Sequence, residues 1–154
     1  TVVEAHSEEL AMMEAMEAGK PITDCLEIDL PETVNTLRWH AEAIDKLYDQ
    51  ISPSDPSVLS MIVREPMGVV AAILPWNFPA MMAAWKLGPI LATGNTVVLK
   101  PAEQTSLSTI RIAELAAEAG IPDYEYGKHY HQGSDSNGDR YITTSAFFYL
   151  DADD

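Results

Sequence analysis

Three polar residues stand directly after apolar runs, a placement that delivers side chains to a rim and not to a core. They are Asn77 in Pro75-Trp76-Asn77, and Lys100 and Glu103 in Lys100-Pro101-Ala102-Glu103. Asn77 either turns the chain or offers its amide to a ligand oxygen. Lys100 and Glu103 either form a surface ion pair, worth well under about 1 kcal/mol, or grip one ligand between them. A nucleophile would have to be Cys25, the one cysteine. It lies near Asp24 and Glu27, whose carboxylates oppose thiolate formation, so it reads as a bystander. His6 has no second ligand at helical spacing and reads as a packed or rim histidine. His129 and His131 would share one side of an extended segment. No third ligand is marked near them, so a solvated loop is the plainer reading than a metal site.

The elements around these residues follow from hydrophobic periodicity. Val3, His6, Leu10 and Met13 share one helical face, and Gly19 with Pro21 stops that helix. A second helix is predicted from Asp29-Leu30-Pro31-Glu32, with Asp29 as cap and Val34, Leu37, Ala41, Ile44 and Tyr48 on its apolar face. Residues 51–57, with two prolines and three serines, read as a loop. Residues 58–63 and 67–74 are β-branched and apolar, and read as strands, the first an exposed edge. Residues 79–91 are apolar almost all round and predict a buried helix. Thr96 to Leu99 reads as a strand covered on both faces. Thr105 or Ser106 then caps a helix that buries Ile112, Leu115, Ala116 and Ala119 and ends at Gly120 and Pro122. Strand, helix, strand, helix over 67–122 is the unit of a doubly wound parallel sheet. Its ligands sit beyond the carboxyl ends of the strands, at Pro75-Trp76-Asn77 and Lys100 to Glu103.

Composition narrows the partners. The 154 residues carry 24 acids and 9 bases, a net charge of −15. That charge argues against nucleic-acid binding and against docking on anionic lipid. The acids cluster at both ends, whereas residues 61–122 hold four acids and four bases. The neutral middle is the expected packed unit, and the acidic flanks read as solvated surface. No apolar run reaches the length of a membrane span, and one cysteine excludes an internal disulfide. No basic region followed by an apolar stretch opens the chain, so the reducing cytoplasm is the expected compartment.

Several blocks in order resemble the aldehyde dehydrogenase family. They are Arg64-Glu65-Pro66-Met67-Gly68-Val69-Val70, Ile73-Leu74-Pro75-Trp76-Asn77-Phe78-Pro79, Ala84-Trp85-Lys86-Leu87-Gly88-Pro89 and Ala92-Thr93-Gly94-Asn95-Thr96-Val97-Val98-Leu99-Lys100-Pro101-Ala102-Glu103-Gln104-Thr105. The resemblance is strong from Leu59 to Pro122 and weaker over residues 1–58. Among subfamilies it is nearest to enzymes that oxidise amino-aldehydes. It implies that Asn77 is the oxyanion donor, stabilising charge on the substrate oxygen. It implies NAD as cofactor, with Lys100 and Glu103 on the adenosine ribose and Ile73, Leu74, Pro75 and Trp76 as a wall beside it. Core packing is the plain alternative for Ile73 and Leu74, and compatible with that role. Glu103 at the 2′-hydroxyl would repel a 2′-phosphate and favour NAD over NADP.

The expected fold class is therefore α/β. A helical lead-in (1–57) precedes a β-hairpin and partial, Rossmann-like NAD-binding βαβα unit (58–122), then a tail of unassigned origin (123–154) made of loop and strand. The family's nucleophilic cysteine and water-activating glutamate have no counterpart here, and the resemblance stops at Ile121-Pro122-Asp123. Two classes follow. One is the cofactor-binding fragment of an NAD-dependent aldehyde dehydrogenase, oxidising an aldehyde to a carboxylate. The other is a truncated or fused non-catalytic binding and oligomerisation module. By resemblance, the partners are the dinucleotide, an aldehyde and a homologous subunit, docked through a hairpin at residues 58–70. In the tail, Gly127 to Asp139 reads as a polar loop, Tyr141 to Leu150 as a strand seeking a sheet edge, and Asp151 to Asp154 as a frayed end.

Overall fold

A computed structural model describes residues 1–121 and the strand segments 132–134, 140–144 and 147–149. The paired His129 and His131 and the acidic end at Asp151 to Asp154 lie outside these residues. The chain opens with α1 (Val2–Ala5) and α2 (Ser7–Ala18). They meet at His6, a rim residue whose Nδ1 lies 2.9 Å from the Val2 carbonyl oxygen. α2 ends at Gly19, which takes the left-handed conformation (φ 66°) that a side chain would disfavour.

The second helix starts earlier than the sequence predicts. Short α3 (Ile22–Asp24) runs through a π-helical stretch (Cys25–Asp29) directly into α4 (Leu30–Ala43). Asp29 is therefore helical, and its side chain turns inward to an ion pair instead of capping. The wide turn, in which the Leu30 N–H bonds the Cys25 carbonyl, lies just before Pro31. Proline brings no N–H, so the ladder must change there. α4 buries Leu30, Thr33 and Val34, but the outer part of its expected apolar face, Ile44 and Tyr48, is exposed.

The predicted loop at 51–57 is shifted by two residues, to 53–59. Gln50–Ser52 forms β1, antiparallel to β2 (Ser60–Ile62), so the hairpin spans 50–62 and not 58–70. β3 (Val69–Ile73) and β4 (Thr96–Lys100) then pair in parallel around α5 (Pro79–Ala92), the predicted strand-helix-strand unit. At its base, the Gly68 N–H donates to Asn95 Oδ1 at 3.1 Å and the Thr96 N–H to the Gly68 carbonyl at 2.9 Å. Ala72 and Leu74 are buried while Val69, Ala71 and Ile73 are exposed, and Val98 is only half-buried. One sheet face meets the helices, so coverage on both faces is not what residues 96–99 receive within this chain.

α6 (Leu107–Glu118) completes the helical layer with Ile112 and Leu115 in the core, although Ala119 is exposed. Its start is capped from a distance: Glu17 of α2 accepts from the Leu107 N–H at 2.6 Å and the Ser108 N–H at 3.2 Å, as well as from the Ser108 hydroxyl. The expected local cap, Thr105 or Ser106, makes no such cap bond. Arg111 ties the same helices together, bonding Glu9, Glu114 and Glu118 at 2.9 to 3.0 Å. α4 and α5 approach closely at Gly88, where a Cβ would lie 2.6 Å from His40 Nδ1.

The tail adds β5 (Gln132–Ser134), β6 (Arg140–Thr144) and β7 (Phe147–Tyr149) to give the order β3-β4-β7-β6-β5. The expected sheet-edge pairing of 141–150 occurs within the chain, with β7 parallel to β4. It is made by two antiparallel strands instead of one. β5 interrupts the expected polar loop at 127–139.

Candidate functional site

The parallel register sets Ile73 opposite Lys100. One more ladder bond, the Leu74 N–H to the Lys100 carbonyl at 2.9 Å, keeps the strands together past the end of β3. Pro75, Trp76 and Asn77 thus leave the sheet beside the start of the Lys100-to-Glu103 segment. The two polar clusters predicted to share a crevice are delivered to the same edge, as expected for the carboxyl ends of neighbouring parallel strands.

Alternation sorts the apolar members of this edge. Ile73 is 72% exposed and Trp76 60% exposed, and Pro75 and Asn77 are exposed as well. Leu74 is 4% exposed and packs in the core, so the packing role is the one its side chain fills. Successive strand residues point to opposite faces, and Ile73 takes the open one.

Lys100 and Glu103 meet directly. Lys100 Nζ donates to Glu103 Oε1 at 2.6 Å and reaches the Pro101 carbonyl at 3.4 Å. The ammonium's hydrogen bond holds the Glu103 carboxyl below the usual carboxylate range. The pair stays solvent-facing, so it is an ionised acceptor and a mobile donor presented together at a surface.

Cys25 is buried, and burial together with the Glu14 and Asp29 carboxylates pushes its thiol up. The sulfur and one oxygen from each of these carboxylates lie within 4.8 Å of one another. A cation is already present among them: Lys20 Nζ pairs with Asp29 Oδ2 and lies 3.5 Å from Glu14 Oε1. The same ammonium lies 4.0 Å from the centroid of the Phe78 ring, next to Asn77. Sequence reasoning missed this cluster, reading Gly19-Lys20-Pro21 as a stop signal. The available signal was Glu14 at i+4 from Leu10, a carboxylate on the buried stripe of a helix, which demands a partner.

A separate apolar cavity of about 480 Å³ lies among α1, α4, α5 and α6, lined by Val3, Leu37, Leu87 and Leu115 among others. None of the strand-end residues borders it. Among the described residues no helix is long and apolar enough to cross a membrane.

Comparison with known proteins places this geometry. The family model "Aldehyde dehydrogenase family" matches residues 1–125. The aminoacetaldehyde dehydrogenase of Pseudomonas aeruginosa is 60% identical over 121 residues, covering 79% of this chain and 24% of that protein. The NADP/NAD-dependent aldehyde dehydrogenase PuuC of Escherichia coli is 55% identical over 122 residues, covering 79% of this chain and 25% of that protein. The solved structure of an indole-3-acetaldehyde dehydrogenase in complex with NAD+ superposes with a TM-score of 0.80 at 47% identity. That superposition covers 97% of this chain and 26% of the other. The chain spans about a quarter of the length of these curated relatives.

Proposed function

The chain belongs to the aldehyde dehydrogenase family, and from that premise we propose that it forms the adenosine-binding and oxyanion-donating part of an NAD-dependent enzyme that oxidises an aldehyde, in particular an amino-aldehyde, to a carboxylate. The observation that carries the reading is the strand-end edge, where Ile73 stands opposite Lys100 and Lys100 pairs with Glu103 at 2.6 Å.

The residues fit a dinucleotide. An ionised Glu103 accepts from ribose hydroxyls and Lys100 supplies a donor to the same ring. Ile73, Pro75 and Trp76 leave apolar surface open at the end of β3, suited to the flat side of a nucleoside. Leu74 supports that wall from behind, from its place in the core. Glu103 disfavours a 2′-phosphate by charge, which selects NAD. NAD, when bound, supplies a hydride acceptor. Asn77, exposed where the chain leaves β3, donates its amide N–H to the substrate oxygen as that oxygen gains charge. Buried Cys25 is unsuited to attack an aldehyde, so in this reading the nucleophile and the water-activating base lie outside residues 1–154.

The amino-aldehyde assignment is supported by the names of the P. aeruginosa relative and of a solved γ-glutamyl-γ-aminobutyraldehyde dehydrogenase from Burkholderia cenocepacia. The latter has a TM-score of 0.80 at 42% identity and covers 97% of this chain and 26% of that one. A homologous subunit is the proposed partner. The β1–β2 hairpin exposes Ile51, Met61 and Ile62, an apolar surface that subunit pairing would cover.

Titration of the 154-residue chain with NAD and AMP, read by tryptophan fluorescence, tests the site. We expect binding near millimolar, about −4 kcal/mol, and a clear loss of affinity in Glu103→Ala. Equal binding by wild type and Glu103→Ala would remove Glu103 from the site.

A further inference from the structure

We propose that Lys20 is a positioning residue for Asn77, acting through the face of the Phe78 ring. The inference rests on the reading of Asn77 as the oxyanion donor. It goes beyond it by assigning to the buried Glu14, Lys20 and Asp29 cluster the task of holding the turn that carries that donor.

Two carboxyl groups face one ammonium. Lys20 Nζ pairs with Asp29 Oδ2, and Glu14 Oε1 is 3.5 Å away. Glu14 and Asp29 are 0% and 2% exposed, so neither carboxyl group can turn toward water. Such a cluster is costly to bury, and apolar side chains would fill the same space at less cost. Here it holds the ammonium at a fixed point, 4.0 Å from the Phe78 centroid. A partly desolvated cation over an aromatic face is attracted by the ring quadrupole, which fixes the ring laterally as well as in depth.

Phe78 is where that attraction matters. It occupies the cap position of α5 with φ −143° and ψ 66° and no side-chain cap bond, followed by fully buried Pro79. Helix α5 fixes the chain from Pro79 onward, and β3 fixes it up to Leu74. Between them Pro75, Trp76 and Asn77 are exposed, so the ring of Phe78 is the side-chain anchor nearest Asn77. Glu14 also has no hydrogen-bond partner for its own oxygens while ionised. A proton on it, donated toward Asp29, leaves one ammonium facing one carboxylate and a balanced cluster.

The test is backbone 15N relaxation of the 154-residue chain. In wild type the Asn77 and Phe78 amides should be rigid, with order parameters of about 0.85. In Lys20→Met they should fall below about 0.6 while Val97 and Ile112 stay rigid. Lys20→Arg, which keeps a cation for the ring, should restore them. Lys20→Met alone strands the Asp29 carboxylate, so Lys20→Met/Asp29→Asn is measured beside it. The double variant removes the stranded charge, and rigid Val97 and Ile112 amides are the check that it is folded. Loosening at Asn77 in the folded double variant supports the proposal. An unchanged Asn77 and Phe78, or a loss in Lys20→Met that Lys20→Arg does not restore, overturns it. The NAD titration above reads the other strand end. Failure there with a rigid, Lys20-dependent Asn77 counts against the functional reading alone.

Discussion

Cys25 shows how far one residue's surroundings decide its chemistry. Its thiol is buried and raised, first by desolvation and then by the Glu14 and Asp29 carboxylates. A nucleophilic cysteine needs the opposite: exposure and a neighbouring positive charge. The 154-residue chain should therefore show no aldehyde oxidation by NADH absorbance, and its thiol should resist an aromatic disulfide reagent until denaturant is added. Turnover that Cys25→Ser abolishes would overturn this assignment. Glu103 is the contrasting case. Its carboxyl is exposed and lowered by a hydrogen bond, so it is ionised across the neutral range and available as an acceptor. The flanking carboxylates of Cys25 were legible in the sequence, but the two that matter most come from Glu14 and Asp29, which folding brings to it.

At the scale of the element, α6 begins under the control of another helix. The Glu17 carboxylate takes two backbone donors of its first turn, Leu107 and Ser108, across ninety residues of chain. An acid at this end also complements the helix dipole. We expect Glu17→Ala to cost roughly 1 kcal/mol in urea unfolding, in line with the loss of a good cap, and Glu17→Gln to recover part of it. A cost below about 0.3 kcal/mol would mean that Ser106 takes over the cap. The sequence predicted the helix and the inner part of its face, since Ile112 and Leu115 recur at helical spacing and are buried, while Ala119 at the end of that face is exposed. It assigned the cap locally because capping rules read neighbours, and Glu17 is a neighbour only in space. The same limit explains Asp29. Its spacing before Pro31 marks a helix start, but the helix already runs there and widens into a π-helical turn.

At the scale of the whole molecule, the buried acid Glu14 ties stability to pH. In the folded chain its carboxyl is raised from 4.5 to about 7, chiefly by burial and then by Asp29. The folded state thus keeps a proton that the unfolded chain releases above about 4.5. The stability from this group is full below about pH 4.5 and is lost as pH rises through about 7. We expect the urea midpoint to decline between pH 5 and 7.5, by no more than about 3 kcal/mol of stability, and Glu14→Gln to flatten that slope. A midpoint that rises over this interval would show that Glu14 is ionised in the fold. The exposed face of β3 and the apolar hairpin are also properties of the whole, left open by the helices that this chain supplies.

The sequence by itself determined the α/β unit and the strand ends that carry Asn77, Lys100 and Glu103. Those features are local: an apolar run sets a strand, and the polar residue after it falls at the rim. It also carried the family, because the matching blocks stand in order along the chain. Only the tertiary structure decided which of Ile73 and Leu74 faces outward, since alternation fixes that they differ and packing fixes which is buried. Only the tertiary structure joined Glu14, Lys20 and Asp29 to Phe78. Buried charges must find partners wherever the fold brings them, and periodicity along the chain contains no term for that distance.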